Sequence, residues 1–470
     1  MKRINVTKYG IVPNTDELLT NKIQSLIDSL SDGGEIFFPR GKYILSTIVL
    51  RDNITINIAK GATLLGSLNF DDFLDLDPVD YPLYQDVSHS YFNCSMFLGK
   101  NLTNITFKGK GKIDLRSVWD EKNKNNMAHR GAKVIALKEC KDVHIHDISL
   151  YNATDLAIYF AWCEYVWVKG VKLKVHIDGI SPDNSKHVVI EDCNVFSGDD
   201  GIVFKSSYNL NKLGVCEDIK VRNCSIQSRC NAIKFGTESN GGFKDISIKD
   251  IKIKNTRISG IALESVDGAF VENISFENIV MKNVNAPIFI HLGNRLRGPK
   301  GSKIGGISKI KISNLVATGP YVPYKTIPWN YLSYVAKDYV QYPWSNEYKH
   351  TKEELKEKRN KHWQHTCNIC GYNGKVISDI TLENVYLELL GGVKEYSNDV
   401  PHTYCSYPEV YVYGSKLPAK GIYFRDINGL TIKNVKVKTI KEDARPDFTF
   451  ENVKRYWFIF ETFEMVFYSL

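Results

Sequence analysis

The stretch DVHIHDISL at residues 142–150 is followed by YVWVKGVKL at 165–173 and HVVIEDCNV at 187–195. Each copy begins with a polar or aromatic residue, alternates β-branched with other residues, and has Asp or Gly at its sixth position. A period of two predicts a β-strand, and the Asp or Gly predicts a bend between two short strands. The same template is found at 104–113, 218–226, 245–253, 273–281, 309–317, 379–387 and 429–437.

The spacing of these copies indicates how the strands are arranged. The first apolar residues of seven successive copies are at positions 143, 166, 188, 219, 246, 274 and 310, so neighbouring copies are 22–36 residues apart. Short strands that return at this interval without helices between them are typical of coils in a solenoid. A β-sandwich has strands every 8–12 residues, roughly, joined by hairpins, and Asn-Gly and Asp-Gly turns are scarce here. We therefore predict an all-β, right-handed parallel β-helix.

The solenoid is predicted to form a single domain over residues 1–470. Its first 35 residues are expected to cap one end, because apolar residues at helical spacing between Leu19 and Leu30 end at a pair of glycines. The aromatic segment 440–470 is expected to cap the other end or to form a subunit contact. Segment 318–375 interrupts the repeat with an aromatic-rich stretch and a charged helical stretch. We expect this segment to form either a lid that stacks on sugars or an excursion packed against the side of the solenoid.

Composition restricts the function classes. The 470 residues include 61 Lys and Arg against 53 Asp and Glu, a net charge of +8, without the clustered basic face of a nucleic-acid-binding protein. No run approaches the 18 or so apolar residues of a membrane span. The ten cysteines are mostly single within apolar runs, which predicts free buried thiols in a reducing compartment. With no apolar leader visible, we expect a cytoplasmic protein, or a secreted one if a leader has been removed.

Two successive coils have an unusual group of acids. Asp178 lies in the stretch HIDGISPD, and Asp199 and Asp200 follow 21 and 22 residues later in SGDDG. Because one coil is 22 residues long in this region, the three side chains are expected on adjacent rungs about 4.8 Å apart. Carboxylates this close raise the pKa of at least one of them. A protonated acid beside ionised carboxylates can hydrolyse glycosides, while Asx turns or a calcium site are the alternatives.

These motifs resemble those of glycoside hydrolase family 28, the polygalacturonase family of pectin-degrading β-helices. GGEIFFPRGKY at 33–43 and KGATLLGS at 60–67 are similar to the usual opening of the pectin-lyase-like fold. IDG at 177–179 resembles the family's Asn-Thr-Asp-Gly motif with its first two residues changed, and GDDG at 198–201 resembles its paired-aspartate motif.

The resemblance implies hydrolysis with inversion and without a metal or cofactor. It implies that Asp199 is the general acid and that Asp178 and Asp200 hold and deprotonate the attacking water. In inverting enzymes such carboxylates usually stand about 6.5–9.5 Å apart.

The substrate-binding motifs of the family are altered in this chain. Its Gly-His-Gly motif corresponds to RCN at 229–231, so Cys230 stands in the place of the histidine. Its Arg-Ile-Lys motif, which grips a uronate carboxylate, corresponds to ALE at 262–264, so both cations are missing and Glu264 has the opposite charge. We therefore do not expect a typical endo-polygalacturonase.

Five pentapeptides are predicted to be equivalent rungs: GISPD at 179–183, GIVFK at 201–205, AIKFG at 232–236, GIALE at 260–264 and PIFIH at 287–291. Their second and fourth residues are apolar or proline and should face the core, so the third and fifth should face outward. This predicts an exposed, substrate-binding row beside the acids, formed by Asp183, Lys205, Lys234, Glu264 and His291 and extended by Asn294, Arg295 and Arg297.

Lys234 and Glu264 are expected to meet on neighbouring rungs as an exposed pair, worth only about 0–1 kcal/mol. Two interpretations of the pair remain open. Either Lys234 binds a uronate while Glu264 orients it, or Glu264 accepts sugar hydroxyls and the groove prefers a neutral sugar. The second is favoured narrowly, because the lysine must neutralise Glu264 before it can serve a substrate.

We thus predict an inverting glycoside hydrolase that acts on pectin-related or other plant-derived oligosaccharides. Its expected partner is an oligosaccharide substrate, with neither nucleic acid nor membrane. The alternatives are a calcium-dependent polysaccharide lyase on the same fold and a non-catalytic carbohydrate-binding β-helix.

Overall fold

A computed structural model describes residues 2–84, 86–118, 131–319, 364–400, 408–410, 412–413 and 417–459. The helical elements of these residues are α1 (Thr20–Asp28) and three short 3-10 turns at Val6–Tyr9, Phe70–Asp72 and Val87–His89. No helix among them has the length and apolar character needed to cross a membrane.

The remaining regular structure is β. The first half of the chain forms β1 (Arg3–Asn5), β2 (Gly34–Phe38), β3 (Gly41–Leu45), β4 (Ile48–Val49), β5 (Ile54–Ile58), β6 (Ala62–Gly66), β7 (Ser95–Lys100), β8 (Thr103–Gly109), β9 (Lys112–Asp114), β10 (Lys133–Lys138), β11 (Lys141–His146), β12 (Ser149–Tyr151), β13 (Ile158–Ala161), β14 (Glu164–Lys169), β15 (Lys172–Lys174), β16 (Ile180–Asp183), β17 (Lys186–Glu191), β18 (Asn194–Ser197), β19 (Ile202–Ser206), β20 (Val215–Arg222), β21 (Ser225–Ser228) and β22 (Ile233–Ser239). Longer strands follow: β23 (Gly242–Ser265), β24 (Phe270–Leu292), β25 (Gly306–Thr318), β26 (Cys367–Cys370), β27 (Ile377–Gly391), β28 (Ile422–Lys441) and β29 (Phe448–Ile459).

The strands stack in three parallel rows along one solenoid. The first row runs through β1, β2, β5, β8, β11, β14, β17 and β20, and the second through β3, β6, β9, β12, β15, β18 and β21. The third row runs through β4, β7, β10, β13, β16, β19 and β22. From β23 onward, long strands turn the bends and join more than one row. The predicted parallel β-helix is therefore confirmed.

The nine-residue template has the predicted register. Its first apolar residues pair directly from coil to coil, from Val143 through the copies at 166, 188, 219, 246 and 274 to Ile310 and then to Ile380. These residues are all buried and fill the interior of the solenoid. The period of two is thus a direct consequence of one strand face packing on the core.

The bends are made by residues in the left-handed backbone region. Asn278, Asn314, Asn384 and Asn434, each at the sixth position of its template, have φ values between 51° and 55°. Asn tolerates this region better than most residues because its short side chain can hydrogen-bond locally. The amide of each donates to the side-chain oxygen of the coil before it, with distances of 3.2 Å from Asn314 to Asn278, 3.0 Å from Asn384 to Asn314 and 3.0 Å from Asn434 to Asn384. These residues form an asparagine ladder along one edge.

At the N-terminal end, α1 buries Ile23 and Ile27 against the first coils, as predicted for the capping helix. At the other end, β29 pairs with β28 as a further rung, and residues 460–470 lie outside the described part of the chain. The aromatic stretch and charged helical stretch predicted within 318–375 also fall largely outside it, at 320–363. The nine cysteines within the described residues are all buried, as predicted for them.

Candidate active site

The three predicted acids lie together at the start of two adjacent strands. Asp178 precedes β16, whereas Asp199 and Asp200 precede β19, and these strands pair in register from Ile180 to Ile202. The backbone N–H of Asp200 donates to Oδ1 of Asp178 at 3.2 Å. The coil arithmetic that predicted neighbouring rungs is therefore correct.

Glycines in both motifs allow the rungs to approach each other here. A Cβ on Gly179 would lie 2.4 Å from the carbonyl oxygen of Gly201, and one on Gly198 would lie 2.0 Å from the carbonyl oxygen of His176. Both distances are too short for any side chain, so the acids stand on a backbone whose position is fixed by close packing.

Asp199 is the most accessible of the three acids, since it is half-buried while the others are buried. Its backbone carbonyl accepts hydrogen bonds from Ser197 Oγ at 2.8 Å and Ser228 Oγ at 2.6 Å. One carboxylate oxygen of Asp199, one of Asp200 and Sγ of Cys230 all lie within 4.8 Å of one another. Cys230, the residue at the position of the family's histidine, thus lies against the acids.

Asp200 is the acid whose protonation the surroundings change most clearly. Burial raises its pKa to about 6, and the charges of Asp199 and Glu409 act in the same direction while Lys234 opposes them. Asn231 donates to Oδ1 of Asp200 from both its backbone N–H, at 3.0 Å, and its side-chain amide, at 2.9 Å. One carboxyl of this group thus has a raised pKa, but burial and not the crowding of carboxylates is the main cause.

The row of rung residues has the predicted register but not the predicted exposure. The second positions pair from Ile180 through Ile202, Ile233 and Ile261 to Ile288. The side of the sheet was predicted correctly, yet the exposed fraction is only 0–6% for Asp183, Lys205, Lys234, Glu264, His291 and Arg295. The prediction of an exposed row is wrong, because chain segments from other coils fold over this face of the third row.

Asp183 is held by donors on three sides. The hydroxyl of Tyr159, the backbone N–H of Ser207 and the amide of Asn209 donate to its carboxylate at 3.0, 2.9 and 3.1 Å. Burial raises its pKa to about 6. Tyr159 shares the same hydroxyl proton with the backbone oxygen of His89 at 2.6 Å, which links a covering loop to the sheet.

Lys205 forms a buried ion pair with Glu238, at 2.6 Å. Burial alone lowers the pKa of a lysine, but Glu238 together with Asp178 and Asp200 raises that of Lys205 above its usual value. In return, Lys205 holds the pKa of Glu238 well below its usual range despite burial. Lys205 is thus coupled electrostatically to two of the three acids.

Arg295 and His291 also have protein partners. Arg295 binds the carboxylate of Asp267 through Nε and Nη2 and donates from Nη1 to Oγ1 of Thr237 at 2.8 Å. His291 contacts the hydroxyl of Tyr413 through Nδ1 at 3.1 Å, and burial lowers its pKa to about 3. The substrate-binding role of both residues stays a prediction.

Lys234 lies among three carboxylates. Its Nζ is 2.7 Å from Glu409, 3.3 Å from Glu264 and 3.9 Å from Asp200. The predicted contact between Lys234 and Glu264 is confirmed, but the pair is buried rather than exposed, so its energetics are not those of a surface ion pair. Burial raises the pKa of Glu264 well above its usual value.

Sequence reasoning missed Glu409 and His89. Glu409 stands 175 residues after Lys234, between β27 and β28, where no template marks a rung. His89 lies in a 3-10 turn between β6 and β7, with both ring nitrogens buried. Neither residue is part of a motif, so only the fold reveals that they reach the site. By contrast Asn231, beside the altered motif, could have been suspected from its position next to Cys230.

The sequence of this chain is similar to those of known proteins. The profile of Glycosyl hydrolases family 28 matches residues 35–319, which is more than half of the chain. A "Probable polygalacturonase" of Vitis vinifera is 24% identical over 262 residues, covering 52% of this chain and 53% of that protein. An "Exo-poly-alpha-D-galacturonosidase" of Dickeya chrysanthemi is 25% identical over 303 residues, covering 52% of this chain and 49% of that protein. The chain thus spans about half the length of these curated relatives.

Solved structures share the fold at low sequence identity. A family 28 exopolygalacturonase of Yersinia enterocolitica superposes with a TM-score of 0.68 at 17% identity, over 96% of this chain and 78% of that one. An exopolygalacturonase of Thermotoga maritima superposes with a TM-score of 0.63 at 17% identity, over 82% of this chain and 87% of that one. These structures share the fold, and the profile match over more than half of the chain establishes that it belongs to glycosyl hydrolases family 28.

Proposed function

We propose that this chain is an inverting glycoside hydrolase in which Asp199, Asp178 and Asp200 perform the reaction. The observation that supports it most is the position of the three acids on two adjacent rungs. Asp199 and Asp200 have carboxylate oxygens within 4.8 Å of each other, and Oδ1 of Asp178 accepts from the backbone N–H of Asp200 at 3.2 Å. Glycosidic hydrolysis needs one proton donor and one base for water, and a pair of carboxylates can supply both.

In the proposed reaction, the carboxyl group of Asp199 gives its proton to the glycosidic oxygen as the bond to the anomeric carbon breaks. Asp178 and Asp200 orient a water and take its proton while its oxygen attacks the anomeric carbon from the opposite face. The accessible position of Asp199 suits the group that must reach the leaving oxygen, and the buried positions of the other two suit a held water. Solvent exchange then restores both protonation states.

The stereochemistry is a separate part of the proposal. Asp199 and Asp200 have carboxylate oxygens within 4.8 Å of each other, which is closer than the roughly 6.5–9.5 Å usual between the carboxyl groups of inverting enzymes. The proposed inversion rests on the match to family 28, and Asp178 is the acid next to Asp200 on the neighbouring rung, where its Oδ1 accepts from the backbone N–H of Asp200 at 3.2 Å. Formation of the product with retained configuration would contradict this part.

Two features argue against the calcium-dependent lyase. Calcium takes six to eight oxygen ligands, roughly, whereas the acids here are flanked by the ammonium group of Lys234, 3.9 Å from Asp200, and by the thiol of Cys230. A non-catalytic carbohydrate-binding protein would gain nothing from burying Asp200 beside Asp199, since burial raises the pKa of Asp200 to about 6.

We further propose that the substrate is a pectin-related or other plant-derived oligosaccharide and that the chain is not a typical endo-polygalacturonase. The names of the relatives support a pectin-related sugar. The second statement is supported by Ala262 and Glu264 at the positions of the family's cations, both buried within the site.

A panel of oligosaccharides tests the proposal. Oligogalacturonates, rhamnogalacturonan fragments and neutral plant glycans are incubated with the wild type and with Asp199→Asn, and NMR follows reducing ends and product anomers. We expect a substrate in the panel that the wild type cleaves with inversion and that the variant leaves almost intact. An unsaturated product absorbing in the ultraviolet would instead support the lyase, and sugar binding without cleavage would support the binding protein.

A further inference from the structure

We propose that Glu409 is a specificity-determining residue: by neutralising Lys234, it makes the subsite beside the acids select a neutral sugar over a uronate. This inference rests on the proposed function and specifies the substrate class for the same site. It concerns binding as well as turnover, so it can be tested even if no hydrolysis is found.

Around Lys234, carboxylates outnumber the cation. Its single ammonium group faces three carboxylates, those of Glu409 at 2.7 Å, Glu264 at 3.3 Å and Asp200 at 3.9 Å. Even if Glu264 holds a proton, Glu409 alone cancels the charge of Lys234. A uronate placed here would add one more negative charge to a site in which carboxylates already outnumber the ammonium group. The carboxylates would repel it, and burial strengthens that repulsion.

The carboxylates of Glu409 and Glu264 have hydrogen-bonding capacity that a ligand could use. Within the described residues, Oε2 of Glu409 is buried and accepts no hydrogen bond, and neither carboxylate oxygen of Glu264 has one, although Oε1 forms the ion pair with Lys234. An ionised carboxylate only accepts hydrogen bonds, so the complement of Glu409 is a group that donates. Sugar hydroxyls donate, whereas a uronate carboxylate does not.

The backbone beside Glu409 is anchored. Its neighbour Val410 accepts a hydrogen bond at its backbone oxygen from the amide of Asn368, at 3.2 Å. Val410 belongs to one buried apolar cluster with Ala262 and Phe289. Ala262 in turn pairs directly with Lys234, which is on the preceding rung. Because the backbone on both sides of the contact is anchored, Lys234 cannot readily exchange Glu409 for a ligand carboxylate.

The test uses sugars that differ in charge while keeping one configuration. The probes are α-1,4-linked trigalacturonic acid, its methyl ester and its carboxyl-reduced form, together with galacturonic acid and galactose. Binding is measured by ligand-observed NMR and cleavage by reducing ends. The variants are Glu409→Gln and Glu264→Gln, with Glu388→Gln as the matched control, because Glu388 forms a surface ion pair with Lys438 at 3.3 Å on β27.

We expect the wild type to prefer each neutral probe over its acid by at least tenfold. Glu409→Gln should shift this ratio at least tenfold towards the acids, Glu264→Gln should shift it less, and Glu388→Gln should leave it unchanged. The inference is overturned if the wild type prefers the acids, if Glu409→Gln behaves like the control, or if no probe binds at all. Failure of the proposed function is recognised separately, because then no sugar of the wider panel is hydrolysed while the binding preference can still be measured.

Discussion

Replacing Lys234 by Met removes the cation that lies 3.9 Å from the carboxylate of Asp200. With an effective dielectric constant of about 20, two unit charges at that distance interact by about 4 kcal/mol, which corresponds to about 3 pH units. Because Lys234 lowers the pKa of Asp200 from the value that burial would impose, Lys234→Met must raise that pKa above 6, by up to this amount. If Asp200 acts as a base, the ionised form is the active one.

The direction of this pKa change determines how the pH profile should shift. In the wild type, kcat/KM should fall as the pH is lowered through about 6, the pKa of Asp200. In Lys234→Met the same loss should occur at a pH at least one unit higher. The assay is the pH profile of kcat/KM on the best substrate of the panel, with carboxyl ¹³C NMR titration of labelled aspartates as a readout that needs no substrate.

Two further variants distinguish a shifted pKa of Asp200 from a folding defect. Lys234→Arg keeps the positive charge and should leave the acidic limb of the profile near its wild-type position. Glu409→Gln removes a negative charge that raises the pKa of Asp200, so it should move the limb to lower pH, opposite to Lys234→Met. If the limb stays at the same pH in all three variants, Asp200 is not the titrating base and the assignment of roles is refuted.

Three more outcomes are expected. Asp199→Asn should lower kcat by at least ~10²-fold, the scale of losing a general acid, without lowering the unfolding midpoint, because the change relieves like-charge crowding; near-normal kcat would remove Asp199 from that role. Activity should survive EDTA, and a loss that calcium restores would favour the lyase. In the asparagine ladder, Asn314 has a φ of 54°, so Asn314→Ala should lower the free energy of unfolding by about 2–3 kcal/mol in chemical denaturation, through lost hydrogen bonds and left-handed backbone strain. Asn314→Gly avoids the strain and should lower it by only about 1 kcal/mol. Equal losses in the two variants would show that strain plays no part.

The parts of the fold set by local periodicity could be predicted from the sequence. A period of two assigns each residue to one face of a strand, so the core positions from Val143 to Ile310 and the neighbouring positions of Asp178 and Asp200 followed directly. The same reasoning placed Lys234 against Glu264, at 3.3 Å.

Exposure could not be predicted in the same way, because a strand pattern states which side a residue points to and not what lies above it. His291 points away from the solenoid core as predicted, but Tyr413 covers it, and Glu409 likewise reaches Lys234 from a segment without any repeat. Such contacts join residues more than a hundred positions apart through irregular chain. No spacing rule describes them.

The segment that supplies Glu409 has a consequence for how such an enzyme can change. β26 pairs with β28, although β27 and residues 392–421 lie between them in the chain. A coil can therefore lengthen at its corner without disturbing the rungs on either side, and the cost of closing a longer loop grows only slowly with its length. Mutation and selection can accordingly extend, exchange or delete such an insert, and so change what surrounds Lys234, while Asp178, Asp199 and Asp200 stay unchanged on their own rungs.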